Sequence, residues 1–152
     1  MIALWWALGC SCGGPVAGEL QTDVEALGVR TVLPPGATEA RWTLQAARAG
    51  RGGVGRADAR VFAWVRTEAP AEEWLRSVAG EPMGARAHNV PGNIARTLFS
   101  DEERAALRHD ETKDTFRLAC VRYPAAALGL GEYRGDVVLD CETHLYLALS
   151  AH

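Results

Sequence analysis

Apolar and polar positions alternate most regularly near the carboxyl end, where Val137, Leu139, Cys141, Thr143, Leu145, Leu147 and Leu149 take every second place. A period of two belongs to a strand with one buried face, so this run predicts a long β-strand. A second run, TFRLACVRY over residues 115–123, alternates Phe116, Leu118 and Cys120. Ala40, Trp42, Leu44 and Ala46 alternate with Arg41, Thr43 and Gln45, the pattern of a half-buried strand. Residues 60–67 (RVFAWVRT) are apolar on both faces, as a central strand is. The Gly-rich stretch between these two predicts a hairpin with a long loop. Nearer the start, Leu20, Val24 and Leu27 stand at helical spacing. Residues 29–33 are strand-like and stop at Pro34-Pro35-Gly36.

Two helices are expected. Over residues 70–79, Pro70 lies in the first turn, Glu72 and Glu73 suit the positive end of the dipole, and Gly80 supplies the stop. Trp74, Leu75 and Val78 would form its buried stripe. Ser100 and Glu103 make a capping box for a second helix that runs to about Arg108 or His109. Residues 81–97 show no clear period, and a loop this long either carries function or conceals a strand. Together the elements predict an α+β domain: an antiparallel sheet of two hairpins with two short helices.

The four cysteines sharpen this picture. Folding residues 115–123 against the carboxyl-terminal run, antiparallel with Cys120 opposite Cys141, places Phe116 opposite Leu145 and Leu118 opposite Thr143. A slip of one residue would send the apolar faces to opposite sides. Directly opposed residues bring their Cβ atoms within disulfide reach. A Cys120–Cys141 disulfide is therefore expected, contributing roughly 3 kcal/mol by closing its loop. Such a bond persists in an oxidising compartment. Cys10 and Cys12 give only C-x-C, short of the paired spacing a zinc site requires, so neither a metal nor another cofactor is expected.

The amino terminus supplies an address. Residues 2–8 (IALWWAL) are uncharged and apolar, too short for a membrane-spanning helix of about 20 residues but long enough for the core of a signal peptide. The four residues Ala7-Leu8-Gly9-Cys10 resemble the lipobox of bacterial lipoproteins. The resemblance implies that residues 1–9 are a signal peptide, that the Cys10 sulfur is acylated, and that Cys10 becomes the first residue after cleavage. Residues 10–18 would then be the lipidated Cys and a flexible tether, and residues 19–152 a single globular domain. It further implies an outer-membrane lipoprotein of the cell envelope, because no Asp follows the Cys. Its partners would be the membrane, through the lipid, and an envelope protein.

Charge excludes one large class of function. The net charge is −3 with both signs interspersed, whereas nucleic-acid binding needs a concentrated basic face. Several constellations carry less than they first suggest. Gly50-Arg51-Gly52-Gly53-Val54-Gly55 matches G-x-G-x-x-G, but a strand follows it where a dinucleotide site needs a helix. It reads as a hairpin loop. His109, Asp110, Glu111 and Asp114 read as a helix cap followed by a solvated acidic turn. Asp140, Glu142 and His144 read as the polar face of the last strand. Trp42, Trp64 and Trp74 fall on buried faces and are expected in the core. Arg86, His88, Asn89 and Asn93 flank Val90-Pro91-Gly92 in the long irregular segment, and loops carry function more often than strands do. These four are the candidate ligand or partner contact. No recognisable nucleophile motif is present. The sequence thus points to a lipid-anchored envelope protein that binds or assembles without catalysis. The alternative is a secreted or anchored hydrolase using the His and carboxylate residues.

Overall fold

A computed structural model of the chain describes residues 18–46 and 59–151. Seven strands form one sheet: β1 (Ala37–Ala46), β2 (Ala59–Thr67), β3 (Ala85–Pro91), β4 (Arg108–Asp110), β5 (Thr115–Tyr123), β6 (Tyr133–Asp140) and β7 (His144–Ala151). Their order is β1-β2-β7-β6-β5-β3, with β4 also paired to β5, and every pairing is antiparallel. The helices are short: α1 (Val24–Gly28), α2 (Glu72–Ala79), α3 (Gly92–Leu98) and α4 (Asp101–Ala105). Of the described residues, 46% are strand and 23% helix, which corrects the expected α+β class. The protein is mostly β.

Three local outcomes move it there. The aperiodic segment 81–97 holds strand β3 and helix α3. The capping box at Ser100 forms as expected, but its helix ends at Ala105, and residues 108–110 extend as β4. The carboxyl-terminal run is not one strand, because residues 141–143 turn and fold it back on itself as the β6–β7 hairpin. Phe116 and Leu118 consequently face Val90 and His88 of β3, not Leu145 and Thr143.

The core follows from the central strands. On one face of the sheet, Val61, Ala63 and Val65 of β2 lie opposite Leu149, Leu147 and Leu145 of β7. Leu27 of α1, Leu75 of α2 and Leu128 cover them. On the other face, Phe62 and Trp64 lie opposite Ala148 and Tyr146, covered by Ile94, Ala95 and Leu98 of α3. Both faces are dry, which is why residues 60–67 read as apolar throughout. Helix α3 touches β1, β2, β3 and β5. It therefore reaches strands at both ends of the order, and the sheet curls around it in a barrel-like way. Trp42 and Trp64 are buried and Trp74 packs half-buried against the first core, as expected.

The disulfide forms. Val121 pairs with Asp140 and Arg122 with Leu139, and the same register carries Cys120 to Cys141 with their Cα atoms 5.0 Å apart.

Candidate functional site

Strand β3 places three of the four candidate contact residues, and its alternation divides them. Arg86 and His88 share a face with their cross-strand partners Cys120 and Leu118, while Asn89 points with Arg117 to the other side. The half-buried His88 ring lies 5.4 Å from that of Tyr146. Burial, with the Arg122 charge second, pushes its pKa below that of an ordinary imidazole. The buried Tyr146 hydroxyl has no hydrogen-bond partner among the described residues, and burial pushes its pKa well above that of a free phenol. Asn93, the second residue of α3, is exposed, its carbonyl accepting the Thr97 hydroxyl at 2.9 Å. The four residues do not converge on one point.

Asn89 instead joins a row that the sequence did not bring together. Across β3, β5 and β4 it lies beside Arg117, which lies beside Arg108. Directly opposed residues of paired strands share a face, so an amide and two guanidinium groups stand side by side. With Lys113 and Thr115 they line a depression of about 490 Å³. Asp110 and Glu111 line it as well. Asp110 Oδ1 is engaged locally, accepting the backbone N–H groups of Thr112 at 3.0 Å and Lys113 at 3.2 Å. Among the described residues, neither Arg108 nor Arg117 forms an ion pair. By contrast, Arg41, Arg66, Arg76, Arg96 and Arg104 each have a carboxylate within 4 Å.

The acidic turn beside this row proves to be an anchor. Asp114 accepts a bidentate pair of hydrogen bonds from Arg96, at 2.6 and 2.9 Å, and lies 3.0 Å from His109 Nε2. The Arg96 bonds first, and then that of His109, hold its carboxyl far below the usual carboxylate range. The His109 ring stacks on Phe116 with centroids 4.3 Å apart. The Asp114 carbonyl accepts the N–H of Gly92 at 2.7 Å, so the turn is pinned to the start of α3. Both carboxylate oxygens are taken up in this tether, which leaves no free base.

The polar face expected of the last strand is broken up by the turn at 141–143. Asp140 stays on β6, while His144 passes to β7 and meets Glu103 of α4. The His144 ring lies flat on Trp64, with centroids 4.6 Å apart. Glu103 Oε1 accepts the Trp64 indole N–H at 3.0 Å and lies 3.9 Å from His144 Nε2, and Oε2 accepts the Ser100 N–H at 2.7 Å. Burial raises the Glu103 pKa, but the bonds from Ser100 and Trp64 outweigh it and the net shift is downward. Burial lowers that of His144 against the opposing pull of Glu103. A neutral imidazole near an ionised carboxylate has the protonation of a general-base pair. Here, however, the ring face is given to packing and the carboxylate to a helix cap and an indole. The cluster joins α4 to the sheet beside a depression of about 380 Å³.

Sequence reasoning missed Arg108, Arg117 and Lys113 because only the β4–β5 register shows them to be neighbours. Glu103 was visible solely as a cap. Cys10, Cys12, residues 1–9 expected as a signal peptide, and the glycine-rich motif at 50–55 lie outside the described residues. Set against protein-family models, curated proteins and solved structures, the chain matches none.

Proposed function

We propose that this chain is an exported, lipid-anchored cell-envelope protein whose β domain is a non-catalytic binding module. Cys10 would hold it to the outer membrane, and the end of the sheet formed by β3, β5 and β4 would meet its ligand or partner. One observation carries the reading: Cys120 and Cys141 are bonded, and such a bond endures where the compartment is oxidising. The lipobox-like Ala7-Leu8-Gly9-Cys10 supports the anchor. For binding, the support is the row of Asn89, Arg117 and Arg108, whose two cations have no internal counter-ion among the described residues. The His and carboxylate clusters that a hydrolase would use are consumed by packing and tethering.

Intact mass of protein purified from bacterial membranes tests the address directly. Expected are loss of residues 1–9, added acyl mass at Cys10, and a gain of two hydrogens on reduction. An unprocessed chain without acyl mass overturns the anchor. Free thiols at Cys120 and Cys141 in protein made in an oxidising compartment overturn export.

A further inference from the structure

We infer that the row Asn89–Arg117–Arg108, with Lys113 at its end, is a binding site for a single phosphate group. Like charges placed directly opposite one another destabilise a strand pair, and Arg108 faces Arg117 in this way. Arg60, Arg86, Arg122 and Arg134 also have no carboxylate within 4 Å among the described residues, but none of them faces another arginine across a strand pair. A pair of opposed arginines with no carboxylate within 4 Å costs stability on its own, and an external anion lowers the cost.

The geometry selects the chemistry. Guanidinium forks bind oxyanions through parallel hydrogen bonds, and an ammonium adds a point charge. A flat carboxylate satisfies one fork. A tetrahedral phosphate presents oxygens in several directions and can be shared between two forks and an amide on three adjacent strands. The lining is polar throughout, so the site holds a headgroup and offers no apolar wall for a larger body. Asp110 and Glu111, which line the same depression, repel an extended polyanion and so favour a ligand with one phosphate. The same group is carried by a soluble phosphate ester or by a phospholipid headgroup. The site rests on side chains far from residue 10 in sequence and stands whether or not Cys10 carries a lipid.

The test uses the full-length chain with its disulfide formed and a Cys10→Ala substitution, so that no acyl group contributes to membrane binding. Thermal melting is followed in inorganic phosphate against chloride at matched ionic strength. Vesicles of phosphatidylglycerol are compared with vesicles of phosphatidylcholine by co-sedimentation. A saturable rise in melting temperature with phosphate is expected, and Arg117→Gln should weaken apparent affinity about tenfold or more. Without phosphate, Arg117→Gln should melt no lower than its parent, because it relieves a like-charge contact. Arg66→Gln, at the other end of the sheet, should keep the full response. Retention on phosphatidylglycerol vesicles that depends on Arg117, with little response to inorganic phosphate, assigns a lipid headgroup. A phosphate response without vesicle retention assigns a soluble ester. Neither effect, or effects equal in the parent and Arg117→Gln, overturns the site. Failure of the lipid anchor would leave these results unchanged, so the two readings fail separately.

Discussion

At Gly135 the β6 backbone passes so close to Ala125 that a Cβ there would overlap the Ala125 carbonyl oxygen. The strand bulges between Gly135 and Val137 at the same place, and the residue is glycine because two backbones meet with no room for a side chain. Gly135→Ala should therefore cost about 1–3 kcal/mol, the range for forcing atoms into a filled space. The readout is a lower melting temperature with an unchanged far-ultraviolet spectrum, and equal melting would mean that β6 can shift away at little cost. Legibility at this scale is uneven. The disulfide partners were readable from the two alternating runs that carry them, but the sulfurs meet through the β5–β6 register, and the expected match of Phe116 and Leu118 to Leu145 and Thr143 does not form. The turn three residues wide at 141–143 was not readable: Glu142 adopts a positive φ of 70° without being glycine. Its one local signal is Asp140, whose Oδ1 accepts the Glu142 N–H at 3.1 Å, a bond aspartate often makes two residues ahead.

Elements were legible where burial is one-sided or complete. Strands β1 and β2 and helix α2 emerge within a few residues of their expected bounds, because their apolar spacing is clean. Strand β3 was hidden since, at the end of the sheet, it buries only Val90 and leaves Arg86, Ala87 and Asn89 exposed, so no alternation marks it. Helix α3 was hidden by its start at Pro91-Gly92, yet Ile94, Ala95 and Leu98 carry the i, i+1, i+4 spacing of a helix with one buried face. The join between β5 and β6 combines a short ladder with the disulfide. Strand β5 pairs with β6 over only Val121, Arg122 and Tyr123, and the Cys120–Cys141 bond extends that short contact to the β6–β7 turn. Replacing both cysteines with serine should lower unfolding free energy by about 3 kcal/mol. Urea denaturation of parent and variant, each with and without reductant, checks this. Reductant should move the midpoint of the parent toward that of the variant and leave the variant alone. A midpoint insensitive to reduction would show that packing around Tyr123 holds the join without the covalent link.

For the molecule as a whole, the two cores fix how acid acts on it. His88 on β3 and His144 on β7 reach the same dry face of the sheet from different strands, one ring against Tyr146 and the other against Trp64. Burial depresses the pKa of both below 6.5, aided at His88 by Arg122 and partly opposed at His144 by Glu103. In the window between the folded value and 6.5, the unfolded chain binds more protons than the folded one. Stability must then rise with pH across that window, and it falls when the solution is acidified below 6.5. The acidic groups act elsewhere on the scale. Glu103 and Asp114 have lowered pKa values, so their stabilisation is lost as pH falls from the ordinary carboxylate values down through their lowered folded ones. Asp140, raised chiefly by burial, has the opposite sign: its contribution is present in acid and declines as pH rises through its folded pKa. The descent just below 6.5 therefore belongs to the two histidines, whose charges would develop on half-buried rings stacked against Tyr146 and Trp64. Chemical denaturation at closely spaced pH values should show a sloping stability in the parent immediately below pH 6.5. The double variant His88→Gln/His144→Gln should be flat there, whatever its absolute stability. A slope surviving in the double variant would assign the acid response to groups outside this core, and a flat parent would mean that the rings take up protons without disturbing the packing around α3.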